Sequence, residues 1–284
     1  MNRRRLVRAP ASSANLGPGY DVLAAALSPV LELEVEETGE FSVECDVPGV
    51  PLDRSNLCVR AFERLHPSDG LRFRIRSEIP ASAGLGSSAA AIVAGLAAAD
   101  HLYELDAPLF EHAVALEGHP DNVAAAVHGG FVVCSGTDEP ARIEPPPELE
   151  GVIAIPGHEV PTSEARAALP EDVPMADAVH NVGHAALLVL GLARGDLSLV
   201  SRGLSDALHE PHRRHLYPRS MELVESAARH GAVGASISGA GPTVLVWCRW
   251  EQTGQVMERL RAEAPGFELR RVTFAPSGVD VREL

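Results

Sequence analysis

A glycine- and serine-rich segment stands directly before a long run of helix-forming residues. Residues 84–88 have the sequence Gly-Leu-Gly-Ser-Ser, and an alanine-rich stretch continues from there to residue 99. Glycines permit backbone conformations that other residues avoid, and they let a ligand approach the backbone closely. A helix that begins at such a turn presents unpaired N–H groups and the positive end of its dipole, which together bind anions. The segment therefore predicts a phosphate-binding site.

Three interpretations of residues 84–88 compete. A flexible linker is disfavoured because strong helix formers follow without a break. A dinucleotide-binding turn fits the pattern G-x-G-x-x-A at residues 84–89, but residues 71–76 alternate apolar side chains with arginine, whereas a central parallel strand is apolar on both faces. The third is a nucleotide-triphosphate site other than a Walker A loop, which needs a lysine, and the chain contains none. We favour the third.

A second polar cluster, Glu-Gly-His-Pro-Asp-Asn, occupies residues 117–122. Proline, aspartate and asparagine are common turn residues, so the segment could be a turn with no further role. Beside a phosphate-binding loop it has another interpretation. Mg²⁺ in nucleotide sites takes few protein oxygens and completes its coordination with water and phosphate. A carboxylate of this cluster and a serine hydroxyl of residues 84–88 offer such oxygens.

Polar residues elsewhere could contact a small anionic substrate. Asn15 and Asp21 flank a glycine-rich first loop, which is either a rigid turn or the enclosure of a polar ligand. Arg166 and Arg213 are candidate anion ligands, because a guanidinium binds a carboxylate or phosphate through two hydrogen bonds. For any one of 24 arginines a solvated surface position is the alternative. Residues 239–242, Gly-Ala-Gly-Pro, predict a hairpin turn that could also close over phosphates.

Two groups of histidines have spacings that also occur in zinc sites. His180 and His184 would share a helix face, and His209, His212 and His215 are three residues apart. A proline interrupts the second group, and no cysteine or acidic residue stands at a standard distance. We therefore do not expect a structural zinc site.

Composition and charge exclude several classes of function. The chain has 284 residues, is 45% hydrophobic and carries a formal net charge of −15. A nucleic-acid partner is not expected, because it requires a basic surface. We expect no membrane association, because no apolar run approaches spanning length and no signal-peptide segment follows the N-terminal arginines. Four scattered cysteines without a C-x-x-C pair predict reduced thiols and a cytoplasmic location.

The elements that must position these residues predict an α+β fold. Leucine or valine alternates with glutamate over residues 31–37, which predicts a half-exposed antiparallel strand, and residues 22–27 predict a separate strand before it. Helices are expected over residues 56–65 and over the alanine-rich stretch after the glycine turn. The predicted strands have one solvent-exposed face, and they alternate with helices along the chain. This pattern predicts helices packed on one side of antiparallel sheets.

A proline-rich segment divides the chain. Residues 139–150 contain four prolines among charged residues, which predicts a linker. We therefore expect an N-terminal lobe over residues 1–138, which carries the glycine turn, and a C-terminal lobe over residues 151–284.

These segments resemble the motifs of the GHMP kinases, a family that includes galactokinase, homoserine kinase and mevalonate kinase. Residues 80–90, Pro-Ala-Ser-Ala-Gly-Leu-Gly-Ser-Ser-Ala-Ala, resemble the phosphate loop of the family. The first loop, residues 10–21, and residues 117–122 are similar to those of the homoserine kinases in particular. Gly239 and Gly241 fall in the third family motif, so the resemblance spans nearly the whole chain.

The resemblance implies ATP-dependent phosphorylation of the side-chain hydroxyl of L-homoserine to O-phospho-L-homoserine, on the route to threonine. It implies an N-terminal lobe like the second domain of a small-subunit ribosomal protein, a ferredoxin-like C-terminal lobe, and ATP bound between them. ATP, L-homoserine and Mg²⁺ are the implied ligands, and the family is compatible with a homodimer. The alternatives are a sister GHMP kinase acting on another small alcohol and a nucleotide-binding module without turnover.

Motif positions also imply roles for individual residues. The implied nucleotide-binding residues are Asn56, Pro80, Gly84, Leu85, Gly86, Ser87, Ser88, Gly239 and Gly241. The implied metal ligands are Ser88 and Glu117. The implied substrate-binding residues are Asn15, Asp21, His119, Thr162, Arg166 and Arg213, with both arginines on the carboxylate, and the implied catalytic residues are Asp121, Asn122 and Arg213.

The sequence departs from the family pattern at two positions. Tyr20 stands where phenylalanine is commoner, and Ala240 replaces the usual serine between the last two glycines. Phosphoryl transfer depends mainly on positioning and charge neutralisation, so a strong base is not obligatory. We expect Asp121 to orient and polarise the substrate hydroxyl, and a general-base role remains the alternative.

Overall fold

The first sheet is built from strands whose apolar side chains face one side. The computed structural model describes residues 3–81, 83–136 and 138–284, so Ser82, just before the predicted phosphate loop, lies outside the described residues. In β2 (Leu23–Glu37) the apolar residues from Leu31 onward are buried, while the glutamates between them are not. Those glutamates pair with arginines of neighbouring strands, as Glu34 does with Arg4. The alternation predicted for residues 31–37 is confirmed.

Seven strands form this sheet, in the order β11-β1-β2-β4-β3, and β5 pairs with both β2 and β6. Besides β2, they are β1 (Arg4–Ala14), β3 (Ser42–Cys45), β4 (Leu71–Ser77), β5 (Phe131–Val133), β6 (Ala141–Ile143) and β11 (Asp280–Glu283). All pairs are antiparallel except β3 with β4. Parallel neighbours need a crossover connection, and residues 46–70 provide it. The expectation of purely antiparallel sheets is therefore wrong for this pair.

The strand β2 is continuous where the sequence predicted two strands. Its pairing with β1 shifts register between Pro10 and Ala11, and the register leaves Ser28 and Pro29 without partners. A serine followed by a proline resembles a break between strands, because proline cannot donate a ladder hydrogen bond. A bulge accommodates both residues here, so the strand passes through them.

The helices of the first half pack on one face of this sheet. They are α1 (Leu57–Glu63), α2 (Ser87–Tyr103), α3 (Leu109–Glu117) and α4 (Asp121–His128). The alanine-rich α2 lies at the centre and contacts β1, β2 and the other three helices. Its small side chains allow close approach: a Cβ at Gly95 would lie 2.2 Å from the carbonyl oxygen of Cys58 in α1. The N-terminus of α2 is thereby held rigidly.

The second sheet has four antiparallel strands in the order β10-β7-β9-β8. They are β7 (Leu149–Pro156), β8 (Gly234–Ile237), β9 (Val244–Arg249) and β10 (Phe267–Thr273). The helices of this half are α5 (Thr162–Ala167), α6 (Met175–Arg194), α7 (Leu197–Gly203), α8 (Glu210–Arg213), α9 (Pro218–Ser226) and α10 (Thr253–Glu263), with a 3₁₀ turn at Ala227–His230. Helices α9 and α10 pack on this sheet.

The chain crosses between the two sheets more than once. Strand β6 lies inside the predicted linker yet pairs with β5, and β11 near the C-terminus pairs with β1 of the first sheet. An aromatic cluster joins the layers, because the rings of Phe131 and Trp247 lie 5.8 Å apart and Phe274 contacts both. The division into lobes at residues 139–150 stays a prediction.

Helix α6 is long and apolar enough, by length and composition, to cross a membrane. No segment of this kind was predicted from the sequence. One such helix is weak evidence, because helices of water-soluble folds pass the same test. The polar side chain of Asn181 on this helix is buried and donates to the carbonyl oxygen of Pro18 at 3.0 Å. The helix therefore packs against the first loop of its own chain.

Candidate active site

A cleft of about 260 Å³ lies where the first loop, the N-terminus of α2, the start of α4, α5 and residues 239–241 meet. The structure brings most of the predicted site residues into its lining: Asn15, Asp21, Gly84, Leu85, Gly86, Ser87, Ser88, Glu117, His119, Asp121, Asn122, Thr162, Arg166, Arg213, Gly239 and Gly241. Residues far apart in sequence thus converge on one site.

Two predicted nucleotide-binding residues lie outside this lining. Asn56 is buried, and its side chain caps α1 by accepting a hydrogen bond from the N–H of Cys58 at 2.9 Å. Its amide also donates to the carbonyl oxygen of Pro51. Pro80 lines a separate pocket of about 150 Å³ together with Ile155 and Thr243. The structure therefore gives Asn56 a capping role, and its nucleoside contact stays a prediction.

The glycine turn leads into α2 in the way that an anion site requires. Gly86 has φ +65° and stands immediately before the first residue of the helix, Ser87. Within the described residues no side chain caps this N-terminus. A Cβ on Gly86 would lie 2.0 Å from the hydroxyl oxygen of Ser12. The first N–H groups of α2 are thus free to bind an anion, and only glycine fits the turn.

Replacing Gly86 by alanine tests this turn. The new methyl group would collide with Ser12, and alanine is unfavourable at this positive φ. We therefore expect a melting temperature lower by about 4 °C or more and binding of a nucleoside triphosphate weaker by at least about tenfold. Gly183→Ala on α6 is the matched control, because its Cβ meets no atom within 4 Å. That variant should keep its activity and gain slight stability. An active, equally stable Gly86→Ala variant would contradict the geometry.

Asp121 and Asn122 are the first residues of helix α4, where the sequence predicted only a turn. The side chain of Asn122 accepts a hydrogen bond from the Ser12 hydroxyl at 2.8 Å. The backbone N–H of Ser12 donates to the carbonyl oxygen of Leu85 at 3.1 Å, so this one residue joins the glycine turn to the start of α4. The side-chain oxygen of Asn122 is engaged with Ser12, so the side-chain nitrogen is the atom that can donate to other groups in the cleft.

The carboxylate of Asp121 is buried at the base of the cleft. Burial raises the pKa of Asp121 to about 6, against the opposing effect of the hydrogen bond that its carboxylate accepts from the N–H of Asn122 at 2.7 Å. The negative charge of Asp21 raises the pKa further, while His119 and Arg166 lower it. A carboxylate with a raised pKa is a stronger proton acceptor than an ordinary aspartate.

The pH dependence of the reaction should follow this carboxylate. Below pH 6 Asp121 is increasingly protonated and cannot accept a hydrogen bond from a substrate hydroxyl, so we expect kcat/KM to fall about tenfold per pH unit there. Between pH 7 and 8 the value should be constant. The measurement is an initial-rate profile from pH 5 to 8, with circular dichroism at each pH to establish that the enzyme stays folded. A flat profile over that range would remove Asp121 from the proton chemistry.

The first loop is fixed by Asn15, which is buried and has φ +70°. Its side-chain oxygen accepts from the N–H of Asp21 at 3.0 Å, and its nitrogen donates to the carbonyl oxygen of Gly239 at 2.7 Å. The hydroxyl of Ser238 donates to the carbonyl oxygen of Gly84 at 2.7 Å. The glycines of the third motif are thereby joined to both the first loop and the phosphate loop.

The two predicted anion-binding arginines differ in their surroundings. Arg166 on α5 is half-buried, and its guanidinium makes a two-point contact with the carboxylate of Asp21, at 2.8 and 3.1 Å. Arg213 on α8 is buried and donates from Nε to the carbonyl oxygen of Ala165 at 2.8 Å. No carboxylate forms an ion pair with Arg213 in the described residues. In this part of the chain Arg213 is therefore a cleft-lining cation without an ion pair, and its charge also acts on the buried carboxyl group of Glu210.

The predicted metal ligands Ser88 and Glu117 contact each other, because the serine hydroxyl donates to the glutamate Oε1. Among the described residues no group of three or more histidine, cysteine, aspartate or glutamate side chains could hold a metal ion. One hydroxyl and one carboxylate suit Mg²⁺, which binds to few protein oxygens when phosphate oxygens and water are present. The residues present fit that ion.

Family models and known proteins match this chain along most of its length. The GHMP kinases N terminal domain matches residues 56–130, and the GHMP kinases C terminal domain matches residues 188–266. A homoserine kinase from Thermus thermophilus is 41% identical over an alignment of 264 positions that covers 89% of this chain and 90% of that protein. A homoserine kinase from Deinococcus radiodurans is 42% identical over 87% of this chain and 85% of its own. The chain belongs to the homoserine kinase family of GHMP kinases.

Solved structures agree with this membership. The crystal structure of homoserine kinase from Cytophaga hutchinsonii superposes with a TM-score of 0.88 at 29% identity and covers 98% of this chain and 97% of its own. The mevalonate kinase of L. major, 18% identical, shares the fold with a TM-score of 0.74 over 95% of this chain and 96% of its own. The predicted α+β fold of two GHMP kinase domains is confirmed. The protein is an enzyme, and its family uses ATP.

Two residues that hold the site together were not predicted from the sequence. Ser12 lies inside the first-loop motif, but nothing in its sequence position indicates that its hydroxyl reaches Asn122. His209 was considered only as a zinc ligand, yet it is buried and contacts the carbonyl oxygen of Gly17 at 2.8 Å. The residues around His209 in the sequence form no pattern that predicts such a contact.

Proposed function

We propose that the enzyme transfers the γ-phosphoryl group of ATP to the side-chain hydroxyl of L-homoserine, giving O-phospho-L-homoserine for threonine biosynthesis. The observation that carries this proposal is that one cleft contains a helix N-terminus for phosphates, a buried carboxylate and an arginine without a carboxylate partner. The names of the relatives and the first-loop motif support homoserine as the substrate.

The phosphates of ATP bind at the glycine turn. The free N–H groups at the start of α2 and the helix dipole stabilise negative charge there. The turn of residues 239–241 closes against the same loop, since Ser238 contacts Gly84. The phosphoryl groups are thus held between the two lobes without a lysine.

Ser88 and Glu117 are the residues that would hold Mg²⁺. When bound, the ion neutralises phosphate charge and keeps the transferred group aligned. The contact between the two side chains places both oxygens beside the glycine turn.

The amino-acid end of the substrate is recognised by charge. A carboxylate group needs a cation, and Arg213 supplies one that is buried and that forms no ion pair with a carboxylate of the described residues. An ammonium group needs a carboxylate, and Asp21 supplies it at the other side of the same loop. Arg166, His119 and Thr162 complete the surroundings of the substrate. Binding at both ends orients the side-chain hydroxyl toward the phosphates.

Asp121 accepts a hydrogen bond from the substrate hydroxyl and polarises it, and Asn122 beside it contributes its amide to the same region. The backbone N–H of Asn122 fixes one oxygen of the Asp121 carboxylate, so the other oxygen is available. The hydroxyl oxygen, in line with the γ-phosphorus, forms the new P–O bond while the bond to the β-phosphate oxygen breaks and ADP leaves, and the hydroxyl proton passes to an oxygen of the transferred phosphoryl group. In this account orientation dominates over proton removal.

The test is ADP release from Mg·ATP with five acceptors offered separately: L-homoserine, L-serine, L-threonine, shikimate and mevalonate. We expect turnover on L-homoserine well above the other four. Turnover on a different alcohol would keep the kinase and overturn the assignment of Arg213 and Asp21. No turnover on any of them would favour a nucleotide-binding module.

The family resemblance also leads us to propose a homodimer in the cytoplasm that binds neither nucleic acid nor membrane. The largest exposed apolar side chains include Met175, Val179 and Val182, which share one face of α6, and exposed apolar patches of this kind are commonly covered by partners. Light scattering on the purified protein measures the oligomeric state directly. A monomer at micromolar concentration would overturn this part of the proposal.

A further inference from the structure

The guanidinium of Arg213 is held by three parts of the chain at once. Its Nε donates to the carbonyl oxygen of Ala165, and its Nη1 lies 3.3 Å from Nδ1 of His209 and 3.4 Å from the carbonyl oxygen of Gly239. These contacts engage Nε and Nη1, while the residue also lines the cleft. The orientation of the remaining nitrogen, Nη2, is therefore set by its neighbours.

His209 is wholly buried, and its partners define its protonation state. A carbonyl oxygen can only accept, so Nε2, at 2.8 Å from the oxygen of Gly17, carries the hydrogen. Arginine can only donate, so Nδ1 accepts from Nη1 of Arg213. Burial lowers the pKa of His209, which keeps the ring neutral. A neutral ring of this tautomer joins the first loop to Arg213.

Tyr20 lies between the two arginines. Its hydroxyl accepts a hydrogen bond from Nη1 of Arg166 at 2.8 Å. The guanidinium carbons of Arg166 and Arg213 lie 5.7 and 5.5 Å from the centre of its ring, within the range of cation–π attraction. The centre of the His209 ring lies 5.4 Å from the centre of the Tyr20 ring. The uncharged rings of Tyr20 and His209 thus pack beside the two guanidinium groups.

We propose that Tyr20 and His209 are positioning residues. His209 fixes Arg213 for an amino-acid carboxylate, and Tyr20 fixes Arg166, whose guanidinium holds the Asp21 carboxylate that faces the ammonium group. The inference rests on the proposed function, because it takes L-homoserine as the ligand. Neither residue supplies charge or removes a proton. Their loss therefore weakens substrate binding and leaves the chemical step nearly unchanged, since the lost interaction serves bound substrate and transition state alike.

Tyr20→Phe isolates the hydroxyl group. It keeps the ring and removes one hydrogen bond to Arg166, so we expect KM for L-homoserine to rise about 3- to 10-fold, while kcat and KM for ATP stay within about twofold. Tyr103→Phe is the matched control, because Tyr103 lies outside the cleft against Arg3. That variant should match the wild type in every constant.

Two variants of His209 separate its two contacts. In His209→Asn the amide oxygen can replace Nδ1 as the acceptor for Arg213, and in His209→Gln the amide nitrogen can replace Nε2 as the donor to Gly17. If His209 positions Arg213, the asparagine variant keeps KM for L-homoserine within about threefold and the glutamine variant raises it about tenfold. The reverse order would show that the Gly17 contact is what matters and would overturn the assignment.

Calorimetric titration of L-homoserine and melting temperatures complete the test. The expected result is a weaker Kd in Tyr20→Phe and His209→Gln with kcat preserved. Lower kcat or melting temperature with unchanged KM and Kd would indicate a merely structural role and overturn the inference. If the wild type neither binds nor phosphorylates L-homoserine, the proposed function fails as well. If the wild type is active and the variants equal it, the positioning role alone fails.

Discussion

We expect Asp121→Asn to lower kcat by about 10²- to 10³-fold, with KM for L-homoserine nearly unchanged, because in the proposed mechanism the carboxylate of Asp121 polarises the substrate hydroxyl. The amide keeps the shape of the side chain and can still accept from the N–H of Asn122. Initial rates with Mg·ATP and L-homoserine give both constants. A loss of about 10⁴-fold or more with substrate binding intact would make Asp121 a true general base.

The same substitution stabilises the folded protein at high pH. The pKa of Asp121 is raised from 3.8 to about 6 in the folded state, so the folded state holds a proton that the unfolded state has already lost. The contribution of Asp121 to the free energy of unfolding is therefore fully present below pH 4, and it is lost as the pH rises through 6. At pH 8 the penalty is about 3 kcal/mol, and asparagine removes most of it.

Melting curves at pH 8 and pH 4 check this second effect. We expect Asp121→Asn to melt about 4–10 °C above the wild type at pH 8, and at the same temperature at pH 4. Asp172→Asn, at an exposed position, is the control and should change neither kcat nor the melting temperature. Equal melting temperatures at pH 8 would mean that the buried carboxylate carries no penalty.

Arg213→Met lowers kcat/KM for L-homoserine by about 10³-fold, because the substrate carboxylate loses a buried cation. The carbonyl oxygen of Ala165 and Nδ1 of His209 also lose their donor, so the melting temperature falls. Arg213→Lys keeps the charge but not the planar pair of donors, and we expect about a 10²-fold loss.

The neighbouring Arg214 supplies the control for this prediction. Arg214 is exposed and pairs with Glu225, so Arg214→Met should keep kcat/KM within about twofold. Steady-state kinetics on the three variants and the wild type form one experiment. An Arg213→Met enzyme that binds L-homoserine normally would place the carboxylate on another residue.

Local patterns made much of the fold and the glycine turn before α2 predictable. The alternation in residues 31–37 and the glycines before α2 act over a few residues, so the sequence alone contains their physical cause. The start of α4 was missed because proline, aspartate and asparagine suit a turn and a helix N-terminus equally well. A residue-by-residue pattern does not separate these two structures.

Contacts between distant segments could not be predicted from the sequence. Strand β11 pairs with β1 across almost the whole chain, and His209 reaches Gly17 over 192 positions. Such pairings depend on how the sheets stack, which no local periodicity encodes. The position of Asn56 could not be predicted for the same reason. Its helix-capping contact is local, but its place outside the lining of the cleft depends on how the whole chain folds.

The most direct test of the account is the selectivity of the cleft for both ends of the amino acid. The measurement is kcat/KM for L-homoserine, for 4-hydroxybutanoate, which lacks the amino group, and for 3-aminopropan-1-ol, which lacks the carboxylate. We predict that each analogue is worse by about 10³-fold or more, because Asp21 or Arg213 is left without its charged partner. Rates within tenfold of L-homoserine for either analogue would contradict the account.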